Sequence, residues 1–447
     1  MQDVAGGGGE MTVGTEETSS ELLRDWPHLT AQQRVAAFQN LPRAQTDDFF
    51  LKLRHRDQCE LIRSLPEPER RLWLRLLPPD DAADVIQRAP EHERQTMLDE
   101  LDEHTRHEVN ALLAYKHDAA GGLMNPRFAR LRPDMGLDEA IRYLHRQAAH
   151  VETLYYAYVL DDSQHLLGVV SIRDLFKADP SKKVQDVMRR YFIHATEQMD
   201  QEAVARLVRT HHLLAIPVLD GEGKMRGIVT VDDIVHVVEQ ETSEDIQKAG
   251  GMEALDAPYM KTGFWHMVKK RGGWLTVLFL GEMLTATAMG RFETEIARAV
   301  VLALFVPLII SSGGNSGSQA STLVIRAMAL GEVRLRDWWK IIARESSAGF
   351  VLGTILAVVG LSRILIWQGI WQPYGPHYLI VASTVACSLI GVVMFGTLAG
   401  AMLPFVLRRA GLDPASASAP FVATLVDVTG LIIYFTIAKI IMQGTLL

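Results

Sequence analysis

From Gly273 to Met442 the chain is written in long apolar runs separated by short polar stretches. A helix needs about 20 apolar residues to cross a bilayer. Five runs reach that length, at about 273–290, 296–329, 341–367, 377–407 and 417–442. The second and fourth are long enough to include tilted or looped ends. Ahead of Gly273 the pattern changes. From Glu21 to about Ala120, leucines recur at helical spacing and prolines recur at similar points: Leu41-Pro42, Leu65-Pro66, Leu77-Pro78 and Ala89-Pro90. Proline is tolerated in a first helical turn, so each can close one helix and open the next. Short helices in series predict a small α-solenoid. From Gly121 to about Glu241, β-branched runs, polar turns and periodic segments follow one another, which predicts strand, turn, strand, helix, twice over.

These patterns predict a multidomain membrane protein. Residues 1–20, rich in Gly, Thr and Glu, predict a disordered tail. An acidic all-α superhelical N domain is expected over 21–120, an α/β tandem over 121–245, a connecting helix over 246–272, and a five-helix α-helical transmembrane domain over 273–447.

Charge sharpens the division. Residues 1–260 carry 30 Lys+Arg against 45 Asp+Glu, and residues 261–447 carry 15 against 8. The first part is a soluble acidic body whose natural partners are cations and not nucleic acid. Lys269, Lys270 and Arg271 just before Trp274 mark the cytoplasmic end of the first span. Arg326, Arg334, Arg336, Lys340 and Arg344 place the second loop inside, as Arg408 and Arg409 do the fourth. The 368–376 loop has no Lys or Arg and faces outward. The N-terminus is therefore expected inside and the C-terminus outside a cytoplasmic (inner) membrane. The polar, acidic N-terminus gives no signal-peptide pattern. Cys59 and Cys387 lie in different parts and suggest no disulfide framework. No nucleophile–base pair, zinc pattern or phosphate loop is visible, so an enzyme is not expected.

Chemistry concentrates in two spans. Asp427 is an acid in an apolar helix, with Ala423 and Thr424 one turn before it and Gly430 one turn after. A mid-membrane carboxylate costs about 2.5–3.5 kcal/mol and faces a polar interior, an ion path or a partner. A helix–helix hydrogen bond would also account for it. The second span reads Ser311-Ser-Gly-Gly314-Asn315-Ser-Gly317-Ser-Gln319 between apolar runs. Such residues face protein or water and not lipid, either as a polar lining or as a packing face of small residues. Asn315 and Gln319, one turn apart, favour the lining.

In the soluble body, Gly168-x-x-Ser171-x-x-Asp174 matches Gly227-x-x-Thr230-x-x-Asp233, 59 residues on. Each copy follows a Met-led turn, at Met124-Asn125 and Met188. This tandem resembles a pair of cystathionine-β-synthase (CBS) domains, which are regulatory modules that often bind nucleotides. The resemblance implies ATP at Gly227, Thr230 and Asp233, the hydroxyl and carboxylate meeting ribose and phosphates.

Taken in order, the acidic helical domain, the CBS pair, Gly314-Asn315-x-Gly317-x-Gln319 in a second span and Ala423-Thr-Leu-Val-Asp427-Val-Thr-Gly430 in a fifth resemble the MgtE family of magnesium channels. What that resemblance implies is a homodimer in the bilayer, with a pore on its axis lined by Gly314, Asn315, Gly317, Gln319, Thr424 and Gly430. Mg²⁺ would be met by Asp427 and the backbone around Ala423. The resemblance further implies an Mg²⁺ sensor at Asp80, Asp84, Asp200, Glu202, Asp233, Glu241, Glu244, Asp245 and Asp413, whose loading closes the channel. Read without the family, Asp80, Asp81 and Asp84 are helix-capping acids. This chain departs from the family pattern in having His212 and His236 for aspartates and Ala419 for an asparagine. The expected function is Mg²⁺ uptake through an Mg²⁺-gated channel. A proton- or sodium-coupled divalent-cation transporter is the alternative.

Overall fold

A computed structural model describes residues 13–255, 257 and 259–446. The chain divides into two compact units, residues 1–239 and 240–447.

The first unit begins with eight helices: α1 (Val13–Asp25), α2 (Ala31–Gln39), α3 (Arg43–Leu51), α4 (His55–Ser64), α5 (Glu67–Leu76), α6 (Pro79–Arg88), α7 (Glu91–Glu100) and α8 (Glu103–Leu112). Residues 13–20, expected in a disordered tail, form the start of α1, while residues 1–12 lie outside the described residues. The recurring prolines act as the pattern predicts. Pro42, Pro66, Pro78 and Pro90 stand at the N-caps of α3, α5, α6 and α7. Leu65, Leu77 and Ala89 before them are extended, because a residue preceding proline is driven out of the helical region. Packing runs in a row from α2 to α4 to α6 to α8, the order of a superhelix. An aromatic cluster of Trp26, Phe38, Phe49, Phe50 and Trp73 fills its first half.

Next come α9 (Ala120–Leu123), β1 (Arg130–Leu131), α10 (Leu137–Gln147), β2 (Tyr156–Leu160), β3 (Leu166–Ser171), α11 (Ile172–Lys177), α12 (Val184–Val187), β4 (Ala195–Thr196), α13 (Gln201–His211), β5 (Ala215–Leu219), β6 (Met225–Thr230) and α14 (Val231–Ala249). The two sheets, β1-β2-β3 and β4-β5-β6, share one topology: a parallel pair followed by an antiparallel pair. The repeated glycines explain the Met-led turns. A Cβ on Gly168 would stand 2.9 Å from Arg189 O, and one on Gly227 would stand 2.7 Å from Asn125 O. Asn125 exchanges backbone hydrogen bonds with Ile228, and Arg189 does so with Val169. Each turn thus packs on the sheet of the other repeat, which ties the pair together.

Residues 246–272 are not one helix: α14 stops at Ala249 because Gly250 and Gly251 follow and Gly251 adopts φ +75°, a left-handed conformation open to glycine. The helix resumes at Phe264 as part of the first span.

The second unit holds α15 (Phe264–Arg291), α16 (Glu293–Arg298), α17 (Val306–Ala329), α18 (Trp338–Trp371), α19 (Tyr378–Arg409) and α20 (Ala419–Met442). All except α16 belong to the five segments long and apolar enough to cross a membrane. Helix α19 packs on α17, α18 and α20. Gly313 and Gly317 of α17 meet Gly396 and Gly400 of α19 so closely that a Cβ on Gly317 would stand 2.7 Å from Gly396 O. Small residues four apart let backbones approach where lipid gives no hydrophobic drive. A hydroxyl pair completes the seam, Ser316 Oγ lying 2.7 Å from Thr397 Oγ1, and Ser321 Oγ donates to Ala417 O, just ahead of α20, at 2.7 Å.

Candidate functional site

Three constellations stand out, one in the membrane unit and two in the soluble unit; a fourth contact secures the start of α20.

In the membrane unit the polar second span has two faces. Gly313, Gly314, Ser316 and Gly317 are buried, while Ser311, Asn315 and Gln319 are exposed at successive turns. Asn315 Nδ2 donates to Ser311 Oγ at 3.4 Å, so this stripe is hydrogen-bonded along its own helix. A Cβ on Gly314 would stand 3.6 Å from Ala423 Cα and 4.0 Å from Asp427 Oδ1. Gly314, Ala423 and Asp427 therefore converge. Gly317 and Gly430 do not line this space. Gly317 is pressed against α19, and a Cβ on Gly430 would stand 3.0 Å from Val392 Cγ1, so both serve helix packing. The Thr424 hydroxyl donates to Pro420 O in its own helix. Asp427 has a neighbour that the sequence reading missed: Glu282, on α15, is near enough for its carboxyl group to act on that of Asp427.

The start of α20 is held by residues outside the span. Lys248 Nζ lies 2.5 Å from Glu244 Oε1 and 2.6 Å from Asp413 Oδ2. The cation between these two expected metal ligands is thus a lysine. Burial works to lower the Lys248 pKa, but its two carboxylate partners raise it, so it is an ammonium at any physiological pH. Trp274 Nε1 donates to Ser418 Oγ at 3.3 Å, and Ser418 is the N-cap of α20. Glu241 and Asp245 stand on α14 beside this arrangement in sequence.

In the first unit acids gather where the α-solenoid meets the CBS pair. Asp80, buried at the start of α6, accepts from Asn125 Nδ2 at 3.0 Å, and the same nitrogen donates to Glu152 Oε2 at 2.8 Å. Burial first, then the charges of Asp233 and Asp81, push the Asp80 carboxyl well above its usual range. Burial likewise lifts Glu152 and Asp233 to about 7, helped by Asp81 and Asp232 respectively. One turn along α6, His55 bridges two more acids: Nε2 is 3.0 Å from Asp81 Oδ1 and Nδ1 is 2.9 Å from Asp84 Oδ2. Burial opposes its charge, yet the two carboxylates raise its pKa to about 10. His117 Nε2 lies 3.7 Å from Asp84, and the His236 ring is 6.3 Å from that of His55.

Asp80, Asp84, Asp233 and His236 are thus brought to one junction. Asp200 caps α13 by accepting from Glu202 N, Glu202 is exposed, and His212 is the left-handed C-cap of α13. Among the described residues no three His, Cys, Asp or Glu side chains stand arranged around a metal ion. The junction acids are held by Asn125 and His55.

A cavity of about 1110 Å³ opens between the two CBS repeats. Thr230 lines it as expected, but Gly227 and Asp233 do not. Gly227 is covered by Asn125, and Asp233 accepts from Thr230 Oγ1 at 2.8 Å. The acids in the wall are Glu152, Asp174 and Asp232, and the cations are Arg173, Lys177 and Arg189. Arg189 Nη2 donates to Asp174 Oδ2 at 3.1 Å. Asp174 is the first repeat's counterpart of Asp233, so the repeat itself could have found it.

Comparison with known proteins covers nearly the same ground. Residues 306–437 match the model of a divalent cation transporter family, residues 18–118 that of the MgtE intracellular N domain, and residues 120–181 and 184–240 the CBS domain. A magnesium transporter MgtE of Thermus thermophilus is 39% identical over 95% of this chain and 93% of its own length. One of Bacillus subtilis is 31% identical over 88% and 84%, and one of Enterococcus faecalis 35% over 75% and 72%. Among solved structures, the cytosolic domain of the Mg²⁺ channel MgtE in complex with ATP aligns with 49% of this chain and 90% of its own, at 39% identity and a TM-score of 0.46. The soluble part of a magnesium transporter aligns with 51% and 99%, at 27% identity and a TM-score of 0.40.

Proposed function

The chain belongs to the MgtE family of magnesium transporters, and from that premise we propose that it conducts Mg²⁺ past Asp427 and is closed by cytoplasmic Mg²⁺. The convergence of Gly314, Ala423 and Asp427 carries the reading. Beside the Asp427 carboxylate stand only a glycine and an alanine, so no bulky side chain covers it on the α17 side. Mg²⁺ dehydrates reluctantly and is commonly held by one or two carboxylates through its waters. A narrow polar path with few acids binds such an ion and lets it leave.

The exposed stripe of Ser311, Asn315 and Gln319 would be costly against lipid. It supports a homodimer, in which the stripe and Asp427 face their copies across a water-filled axis. The Lys/Arg distribution supports an internal N-terminus and an external C-terminus. Closure would draw on the junction acids. Asp80, Glu152 and Asp233 crowd together, and a dication between such groups removes their repulsion. The CBS cavity would take ATP, with Arg173, Lys177 and Arg189 toward the phosphates, Asp174 accepting from ribose hydroxyls and Tyr156 toward the base.

The test is Mg²⁺ influx into liposomes reconstituted with the purified protein. Asp427→Asn, which keeps size and removes charge, should abolish influx while the protein elutes as the wild type does. Influx near the wild-type rate would overturn the pore assignment. An imposed pH or Na⁺ gradient should leave the wild-type rate unchanged; dependence on either would favour coupled transport.

A further inference from the structure

We infer that Glu282 of the first span is a second carboxylate of the ion pathway, acting with Asp427 on the permeating dication. This rests on the reading that Asp427 faces that ion.

The packing of α15 on α20 sets the register. Both helices run in the same direction, and their contacts pair residues in step. Trp274 meets Ser418 and Phe421, the ring centroids of Trp274 and Phe421 being 6.1 Å apart. A Cβ on Gly281 would stand 2.8 Å from Thr424 Cγ2. Further out, Phe292 stacks on Phe435 at 5.1 Å, and Glu295 Oε1 lies 3.5 Å from Lys439 Nζ. Between the second and third of these contacts the register brings Glu282 beside Asp427. Depth agrees. At about 1.5 Å per residue, Glu282 lies about 16 Å beyond Arg271, close to the middle of a hydrocarbon layer about 30 Å thick.

Two acids side by side at that depth call for a positive charge. Among the described residues none is built in nearby. Helix α15 has no Lys or Arg between Arg271 and Arg291, and α17 has none before Arg326. Along α20, Lys439 is the only cation, and it lies near Glu295 one helix end away. Arg363 of α18 sits over the Trp367 ring at 5.1 Å. A proton shared between Glu282 and Asp427 leaves the pair with one negative charge that no side chain of these helices offsets, and the cargo of this family is a dication. Glu282 is exposed on the protomer.

The experiment is Mg²⁺ influx into liposomes, measured over a range of external Mg²⁺ with Glu282→Gln, Glu282→Asp and Asp427→Asn in parallel. Glu282→Gln should raise the half-saturating Mg²⁺ about tenfold or more, since one of two charges attracting the ion is lost. Glu282→Asp should stay within about threefold of wild type and shift the ratio of Mn²⁺ to Mg²⁺ influx. In a Cys387→Ser background, Glu282→Cys should react with a charged water-soluble thiol reagent, and Mg²⁺ should slow that reaction. If Asp427→Asn abolishes influx while Glu282→Gln leaves half-saturation unchanged, Glu282 is not on the path. Loss of neither activity would instead sink the Asp427 reading. Should the neutral variant fail to fold, Glu282→Asp and the thiol assay decide: an unchanged ion ratio, or labelling indifferent to Mg²⁺, overturns the assignment.

Discussion

Lys248 reaches Asp413 with Nζ 2.6 Å from Oδ2, joining the end of α14 to the loop that leads into α20. The same ammonium holds Glu244 one turn back on its own helix. Next to it, a Cβ on Gly251 would stand 3.0 Å from Pro420 Cγ, and Trp274 donates to Ser418. The first turn of the helix that carries Asp427 is therefore gripped by the connector and by the first span. A lysine ammonium stands there between the two acids. Lys248→Glu should break both contacts and set three acids together. Closure at high internal Mg²⁺ should weaken, read as residual influx into Mg²⁺-loaded liposomes. Lys248→Glu with Asp413→Lys restores one opposite-charge pair and should recover part of the closure. A double variant no better than the single one would show that this pair does not transmit gating.

His55 predicts a pH dependence whose sign is fixed. Both ring nitrogens face carboxylates, at 3.0 and 2.9 Å, so the bridging form is the imidazolium. Its folded pKa, raised to about 10, lies above the unfolded value near 6.5. Its stabilisation is thus complete below about 6.5 and is lost as pH rises toward 10. Glu152 and Asp233, raised to about 7, act in a lower window: their contribution is full below about 4 and is lost by about 7. Melting of the protein in chelator should therefore fall by several degrees between pH 7 and 10, and His55→Gln should remove most of that slope. An unchanged slope in the variant would show that His55 does not carry the charge.

The cavity between the CBS repeats gives a binding prediction. Arg189→Ala removes a cation and frees Asp174 from its 3.1 Å partner. ATP affinity measured by calorimetry should drop about tenfold or more, as for loss of a charge-assisted contact. Asp233→Asn should leave it within about twofold, because Asp233 is turned to Thr230 and the acidic junction. The reverse order of effects would put the nucleotide at the second repeat's motif instead.

Much of this was open to reading in the sequence, for identifiable reasons. Proline at a helix start is a local signal that tertiary structure rarely overrides, so the solenoid could be read directly, and an acid in an apolar run made Asp427 stand out. Glu282 carries the same signal as Asp427 in the first span and was passed over. Position along a helix does not show which acids meet: Asp174 and Asp233 occupy one place in two repeats, yet packing turns one to the cavity and the other to Asp80. The small-residue run in α17 held two roles at once. Asn315 is exposed while Gly317 is pressed on α19, a difference set by helix rotation. Lys248 was a cation one turn from an acid, an ordinary surface pattern, until folding placed Asp413 beside it.

Asn125 offers the sharpest test of the acidic junction. Its Nδ2 donates to Asp80 at 3.0 Å and to Glu152 at 2.8 Å, so one neutral amide reconciles two acids that burial already disfavours as anions. Its Oδ1 accepts from Arg127 N at 2.8 Å, which fixes the amide's orientation. Asn125→Asp keeps the shape and that acceptor but replaces the donor with a third oxygen. In chelator the variant should melt several degrees below wild type, since leaving buried polar groups unsatisfied costs about 1–3 kcal/mol. The outcome with Mg²⁺ separates a structural amide from one bordering a cation site. If the junction takes a dication when Mg²⁺ is present, the extra carboxylate strengthens binding, and millimolar Mg²⁺ should raise the variant's melting temperature by more than it raises that of wild type. Equal shifts in the two proteins would mean that Asp80, Glu152 and Asp233 are a structural cluster, and that Mg²⁺ sensing in this chain lies elsewhere.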